Sequence, residues 1–362
     1  MRNPILIAAL ASMVSVAHGQ IIQSTRFVKG SISDGEKILM AYLQPLERSF
    51  NAIGGSGFVD SRGSFKNKKS VYSIGVQFVG AFSPVSERTY DINDLGLSEF
   101  EVSNSGNTVA QTFAGNSNTV ELVTSTSYKT LTTSFPFYAS KPLLKLNSPE
   151  GTGNALLGLG FLSASVYSGG AEIGLRFMPP LRVPETGAVV YSAGGYLRVE
   201  FNALVKSMQS FPFTVAALIG VQYTRLSLDP ELAPESSRTE ISLQPDNGPY
   251  DTQKFFVSSR AIPVELFIQK RLKSFVVYAG TGFIFSKSHA ALEGNIPLYQ
   301  TDPSDTFSVI IEDIENPVSY ARKSNTAQFN FGLMYFLNSF GMNVGYSISK
   351  YQSFFLGCNV SI

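Results

Sequence analysis

The sequence predicts an all-β protein: a transmembrane antiparallel β-barrel of ten to twelve strands behind a short N-terminal amphipathic helix. Three observations carry that prediction. From residue 70 onward, apolar residues recur at every second position, the period of a strand with one apolar face. The alternating runs span about ten to fourteen residues, enough to cross a bilayer at a tilt, whereas sandwich strands run nearer five or six. The face opposite the apolar one is mostly Gly, Ser, Asn, Gln and Ala, not the Lys, Glu and Thr of a sheet facing water.

Composition agrees. Of the 362 residues, 44% are hydrophobic and 15% are charged, against roughly 25% charged in an average soluble domain. No stretch approaches the roughly 18 to 20 apolar residues of a membrane helix. Lys plus Arg is 28 and Asp plus Glu is 27. That balance leaves no basic stripe for a nucleic-acid partner.

The chain opens MRNPILIAALASMVSVAHGQ. Arg2 supplies a charged start, Ile5 to Val16 an apolar core, and Ala17-His18-Gly19 a small-x-small cleavage site, so residues 1–19 read as a signal peptide. Residues 20–69 form an N-terminal helix and linker, either periplasmic or a plug. Ser33 with Glu36 fits a capping box, and Ile38, Leu39, Tyr42, Leu43 and Leu46 follow at helical spacing. Pro45 limits this helix to about three turns. Its apolar face needs a partner, so it plugs a pore, lies beneath one or docks elsewhere.

Residues 70–362 read as the barrel. Strands are expected near 70–82, 156–166, 170–178, 189–201, 212–228, 254–270, 274–287, 326–337, 340–349 and 353–362. Tight connections at YSGG, RLKS and LNSF, with the longer NALVKSMQSF, mark one end. External loops fall at 83–155, 179–188, 229–253 and 288–325. Outer-membrane barrels have this asymmetry, with short periplasmic turns and long external loops. Loop 83–155 is long enough to hold a further hairpin, which leaves twelve strands open.

The last strand carries Gly357, Val360 and Ile362 at the spacing by which such barrels address their assembly machinery, with Ile in place of the usual final aromatic. The expected location is the bacterial outer membrane. Expected partners are outer-membrane lipid, the barrel-assembly machinery during biogenesis, and a small apolar solute. The stretches GEKILMAYLQPLERSFNAIGGSGFVDS, YSIGVQFVGAFSPVSERTYDINDLGL, GGAEIGLRFMPPLRV and FIQKRLKSFVVYAGTGFIFSKS resemble an uncharacterised family of Bacteroidota outer-membrane barrels of unknown function. That resemblance implies a fold and lends no activity. A second resemblance, to long-chain fatty-acid transporters of the outer membrane, rests on a helical segment at 33–50 placed before a barrel.

Chemistry is sparse. His289 is the only histidine after the signal segment, with Ser286, Ser288, Asp302 and Asp305 near it in sequence. A His with Ser or Asp at a barrel rim can build a hydrolase, but a single loop histidine reads more simply as a surface residue, and no catalytic residue is assigned. Metal sites need more than one His or a cysteine cluster. The sequence offers neither, so no metal or cofactor is expected. The inward-facing polar residues are the lumen or constriction candidates: Glu172, Arg176, Arg198, Glu200, Glu265, Gln269, Asn330 and Asn343. Glu172 with Arg176, and Arg198 with Glu200, suggest a ladder that either selects solutes by charge or merely fills a narrow barrel. Inner-face Phe267, Tyr278 and Phe355 suggest a path for an apolar ligand. The function expected is a passive channel or transporter for small or hydrophobic solutes. The alternative is a non-conducting barrel, structural or adhesive, acting through its external loops.

Overall fold

Alternation decides the architecture: a strand with one apolar face and one small polar face can pair its whole backbone only if the sheet closes. The computed structural model describes residues 25–58, 70–98, 100–102, 108–114, 122–124, 155–182, 188–228, 254–302 and 305–362. In it β1 (Ser70–Ser83), β6 (Ala155–Ser168), β7 (Ala171–Arg182), β8 (Val189–Glu200) and β9 (Thr214–Leu228) form half of one closed ring. The ring continues through β10 (Lys254–Leu272), β11 (Phe275–Glu293), β14 (Val318–Leu337), β15 (Phe340–Ile348) and β16 (Ser353–Ser361). All neighbours are antiparallel, and β16 closes on β1 from Ser73 opposite Ser361 to Ala81 opposite Ser353. The expected signal peptide lies outside the described residues.

Ten strands, not twelve, make the barrel among the described residues. The extra strands of the 83–155 segment pair only with one another: β2 (Thr89–Asp91) with β4 (Val109–Gln111), and β3 (Phe100–Val102) with β5 (Leu122–Thr124). The expected loop at 288–325 is largely strand. β11 runs on to Glu293, β14 starts at Val318, and between them β12 (Asn295–Asp302) pairs with β13 (Asp305–Glu315). β7 likewise extends past the expected start of loop 179–188, absorbing Pro179 and Pro180 in a register shift between Met178 and Leu181. The short turns sit where expected. Gly169 and Gly170 adopt φ +60 and +94, and Lys273 and Asn338 also take positive φ, as two-residue hairpin turns require.

Apolar side chains face outward along every strand, as with Ile74 on β1, Leu175 on β7 and Leu266 on β10, each more than half exposed. Near the long-loop end of β10, β11 and β14 the pattern inverts. Phe255, Val257, Leu292 and Val318 point inward and are buried. They meet helix α1 (Thr25–Gly55), which lies inside the barrel.

The helix differs from the sequence expectation in two ways. It runs through Ser33 and Glu36, so these do not cap it; the Asp34 carboxylate instead accepts from the Ser98 amide at 2.8 and 2.9 Å. It also runs through Pro45. Proline removes one helical hydrogen bond, but burial on the barrel wall offsets that loss, and the Phe113 amide from the β1–β6 loop donates to the Tyr42 carbonyl nearby at 3.0 Å. The helix ends at Gly55, and Gly57 takes φ +78.

Candidate functional site

Among the described residues, strand period, burial and charge converge in the lumen. Its first layer lies toward the short-turn end. Arg198 is 1% exposed and donates to Glu172 at 3.2 Å and to Glu200 at 2.8 Å. The Tyr196 hydroxyl donates to Glu172 at 2.9 Å, and the Tyr167 hydroxyl and Gln269 amide each donate to Glu200 at 3.2 Å. Register explains the set. Glu172 stands directly opposite Arg198 across β7 and β8, while Glu200 is two residues on, along the same inner face.

The ladder expected across neighbouring strands runs from Glu172 to Arg198 and on to Glu200, while Glu172 and Arg176, on the same face of β7, do not pair with each other. Four residues along a strand are about 13 Å, too far for the two side chains to meet. Arg176 turns instead to the end of α1. Its guanidinium donates to the carbonyls of Ser56 at 2.5 Å, Ile53 at 3.0 Å and Gly54 at 3.1 Å, and to Gln222 Oε1 at 2.7 Å. It lies 3.7 Å from the Phe58 ring centroid and 4.8 Å from that of Phe161. A helix C-terminus leaves carbonyls without partners and carries partial negative charge, so a buried guanidinium is the complementary group.

Other lumen residues complete this middle layer. Gln77 donates to the Gly57 carbonyl at 2.5 Å, and Ser56 and Ser353 hydroxyls lie 2.7 Å apart. Gln328 donates to the Gly55 carbonyl at 3.3 Å and to Glu265 at 2.5 Å, and Asn330 donates to Glu265 at 2.8 Å. Glycine permits this closeness: a Cβ at Gly54 would sit 2.8 Å from the Ala261 Cβ.

The third layer lies toward the loop end. The Tyr320 hydroxyl donates to Glu47 at 2.6 Å, Arg322 stands 3.6 Å from the same carboxylate, and the Ser259 hydroxyl donates to Asn51. Tyr42 and Leu43 pack with Leu46 and Phe50 against the inverted strand ends, Leu39 packs on that cluster, and Ile38 meets Ile92 and Ala110 of the β1–β6 loop. At the rim, Glu87 receives hydrogen bonds from Arg48 and Tyr351, with Lys350 at 3.4 Å. Burial raises the Glu87 carboxyl, but these hydrogen bonds outweigh it and hold the group below the ordinary value.

All eight lumen candidates therefore face inward, seven of them buried and Asn343 half-buried. Sequence reasoning missed Phe50 and Ile53, which extend the apolar helix beyond Pro45, and Phe58 just after it, and missed that Arg176 meets the helix rather than a strand. Phe267, Tyr278 and Phe355 are packed into the core and line no open path. His289 faces outward and contacts Ser319 at 3.2 Å, while Ser286 and Ser288 point inward, so no triad forms from them. The side chains of Asp302 and Asp305 lie outside the described set. Among the described residues no group of three His, Cys, Asp or Glu could hold a metal.

A family model covering residues 1–362 matches the sequence, and the chain belongs to that family of unknown function, DUF6588. No curated protein matches. Among solved structures, the outer membrane protease OmpT from Escherichia coli aligns over 83% of this chain and 98% of its own, at 10% identity and TM-score 0.28. The toluene transporter TodX from P. putida aligns over 82% and 91%, at 10% identity and TM-score 0.23. The translocator domain of the autotransporter NalP from Neisseria meningitidis aligns over 82% and 89%, at 10% identity and TM-score 0.25. At these values the likeness assigns no activity or substrate.

Proposed function

We propose that this protein is an outer-membrane barrel, sealed at rest by α1, that acts through its loop end rather than as an open passive channel. One observation carries the reading: among the described residues the lumen is occupied from Tyr42 to Phe58 by the N-terminal segment, bonded to the wall at every level. Beneath Phe58 one cavity, lined by Arg176, Tyr196 and Asn343, measures about 20 Å³, room for one water. The inverted strand ends support a resident helix, because without it Phe255, Val257, Leu292 and Val318 would line a wet lumen. Outer-membrane lipid around the belt and the assembly machinery remain the proposed partners.

The test is single-channel recording of the full-length barrel in planar bilayers, beside solute uptake by proteoliposomes. Silence in both supports the reading; stable ohmic steps from the intact chain would remove it. A second reading, a transporter whose plug moves to admit a small apolar solute, is favoured by the hydrogen bonds that Gln77, Ser353 and Gln328 make to the segment, since water can replace them. It predicts uptake that appears with substrate and vanishes when α1 is cross-linked to the wall.

A further inference from the structure

Three cations stand side by side on the outside of the barrel. Arg260 on β10 lies directly opposite Lys287 on β11, which lies directly opposite Lys323 on β14. All three face outward and are exposed. Like charges directly opposite one another destabilise a sheet. No acidic side chain is paired with any of them among the described residues.

Their height is informative. On β11 the outward positions from Phe275 to Phe285 carry no charge, and Lys287 is the next outward position. Those ten residue steps span about 33 Å of strand, or about 25 Å along the membrane normal at a tilt near 40°, the height of an apolar belt. The rung therefore sits on the upper edge of the belt, at head-group level, on the long-loop side. Tyr223 lies opposite Arg260 on β9, and one outward position further on Arg225 stacks over the Phe256 ring at 4.0 Å. Aromatic residues at this level are typical of a membrane interface.

We propose that Arg260, Lys287 and Lys323 form a binding site for the phosphorylated head group of a lipid in the leaflet at the loop end. The phosphate oxygens bridge the three cations and remove their mutual repulsion. Arg260 offers a planar fork for two oxygens, and the lysines add point charges. The lipid's acyl chains lie down the belt over Ile262 and Phe285, the next outward positions below the rung. This inference rests on the membrane reading of the barrel but not on whether the lumen conducts.

Native mass spectrometry of the full-length barrel in detergent tests it, with a bis-phosphorylated glycolipid, its dephosphorylated form, and inorganic phosphate as probes. The variant is Lys287→Gln with Lys323→Gln. Lys270→Gln, at the opposite edge of the same belt, controls for loss of a cation at a belt edge. Heat-modifiable gel mobility reports that each variant folds. The expected result is retention of the phosphorylated lipid by wild type and K270Q, with affinity at least about tenfold lower in the double variant. Equal retention of both lipid forms overturns the proposal, as does a double variant that binds like wild type. Full displacement by millimolar phosphate also overturns it, because the site would then recognise a free anion and not a lipid.

Discussion

Replacing Arg176 with methionine removes the group that holds the end of α1 to the wall. Four hydrogen bonds go with it: three to the carbonyls of Ile53, Gly54 and Ser56, and one to Gln222. Hydrogen bonds to a charged group contribute about 1.5–3 kcal/mol each, and a buried acceptor left unpaired costs about 1–3 kcal/mol. These terms do not add in full. Removing a guanidinium from the interior recovers desolvation energy, and water in the vacated space can meet some carbonyls. We therefore expect the docked state of α1 to lose about 3 kcal/mol, and local opening to rise about a hundredfold. Hydrogen exchange of the amides from Leu46 to Gly55 reads this directly, in the folded barrel. Faster exchange confined to α1, with the strand amides unchanged, is the expected result. Exchange in α1 as slow as in wild type would refute the reasoning, because Arg176 would then be filling space and not anchoring.

Three further outcomes follow from the same contacts. Arg198→Ala leaves Glu172 and Glu200 facing each other without their cation, so the barrel's heat-dependent gel shift should move to lower temperature by the equivalent of about 3–5 kcal/mol; adding Glu172→Gln and Glu200→Gln should restore most of it. The Glu87 carboxyl is held low by Arg48 and Tyr351, with Lys350 nearby. Its contribution is therefore complete above the unfolded value of 4.5 and is lost as pH falls through the lower folded value. Protease cleavage between Pro84 and Ser98 should accelerate only below that range, and cleavage independent of pH would contradict the clamp. The contacts of α1 also fix a direction. Its first half touches the β1–β6 loop and its end lies at mid-lumen, while Ser70 begins β1 at the short-turn end. An epitope placed just before Thr25 should bind antibody on intact cells, whereas one in the Lys273–Ser274 turn should bind only after permeabilisation.

Much of this was legible in the sequence, and the rest was not for identifiable reasons. Period two placed all ten strands and their outward faces because lipid and lumen make opposite demands on alternate residues. The same rule failed at the loop ends of β11 and β14, where a helix replaces water inside and apolar residues such as Leu292 and Val318 turn inward. A shared inner face suggested a ladder of Glu172, Arg176, Arg198 and Glu200 across neighbouring strands; register, which sets partners in a sheet, places Glu172 against Arg198 and leaves Arg176 to meet α1. Pro45 read as a stop because isolated helices obey that rule, whereas a helix packed in a barrel on Phe255 and Val257 does not depend on one hydrogen bond. The Arg260–Lys287–Lys323 rung was hidden because Lys323 fell in an expected loop.

The central claim is that the lumen is sealed by the chain's own N-terminal segment. Planar-bilayer recording of the full-length protein beside the Arg176→Met variant tests it most directly. The account predicts a silent wild type and a variant that flickers into conducting states. A wild type that conducts steadily, with steps unaltered by the variant, would contradict it.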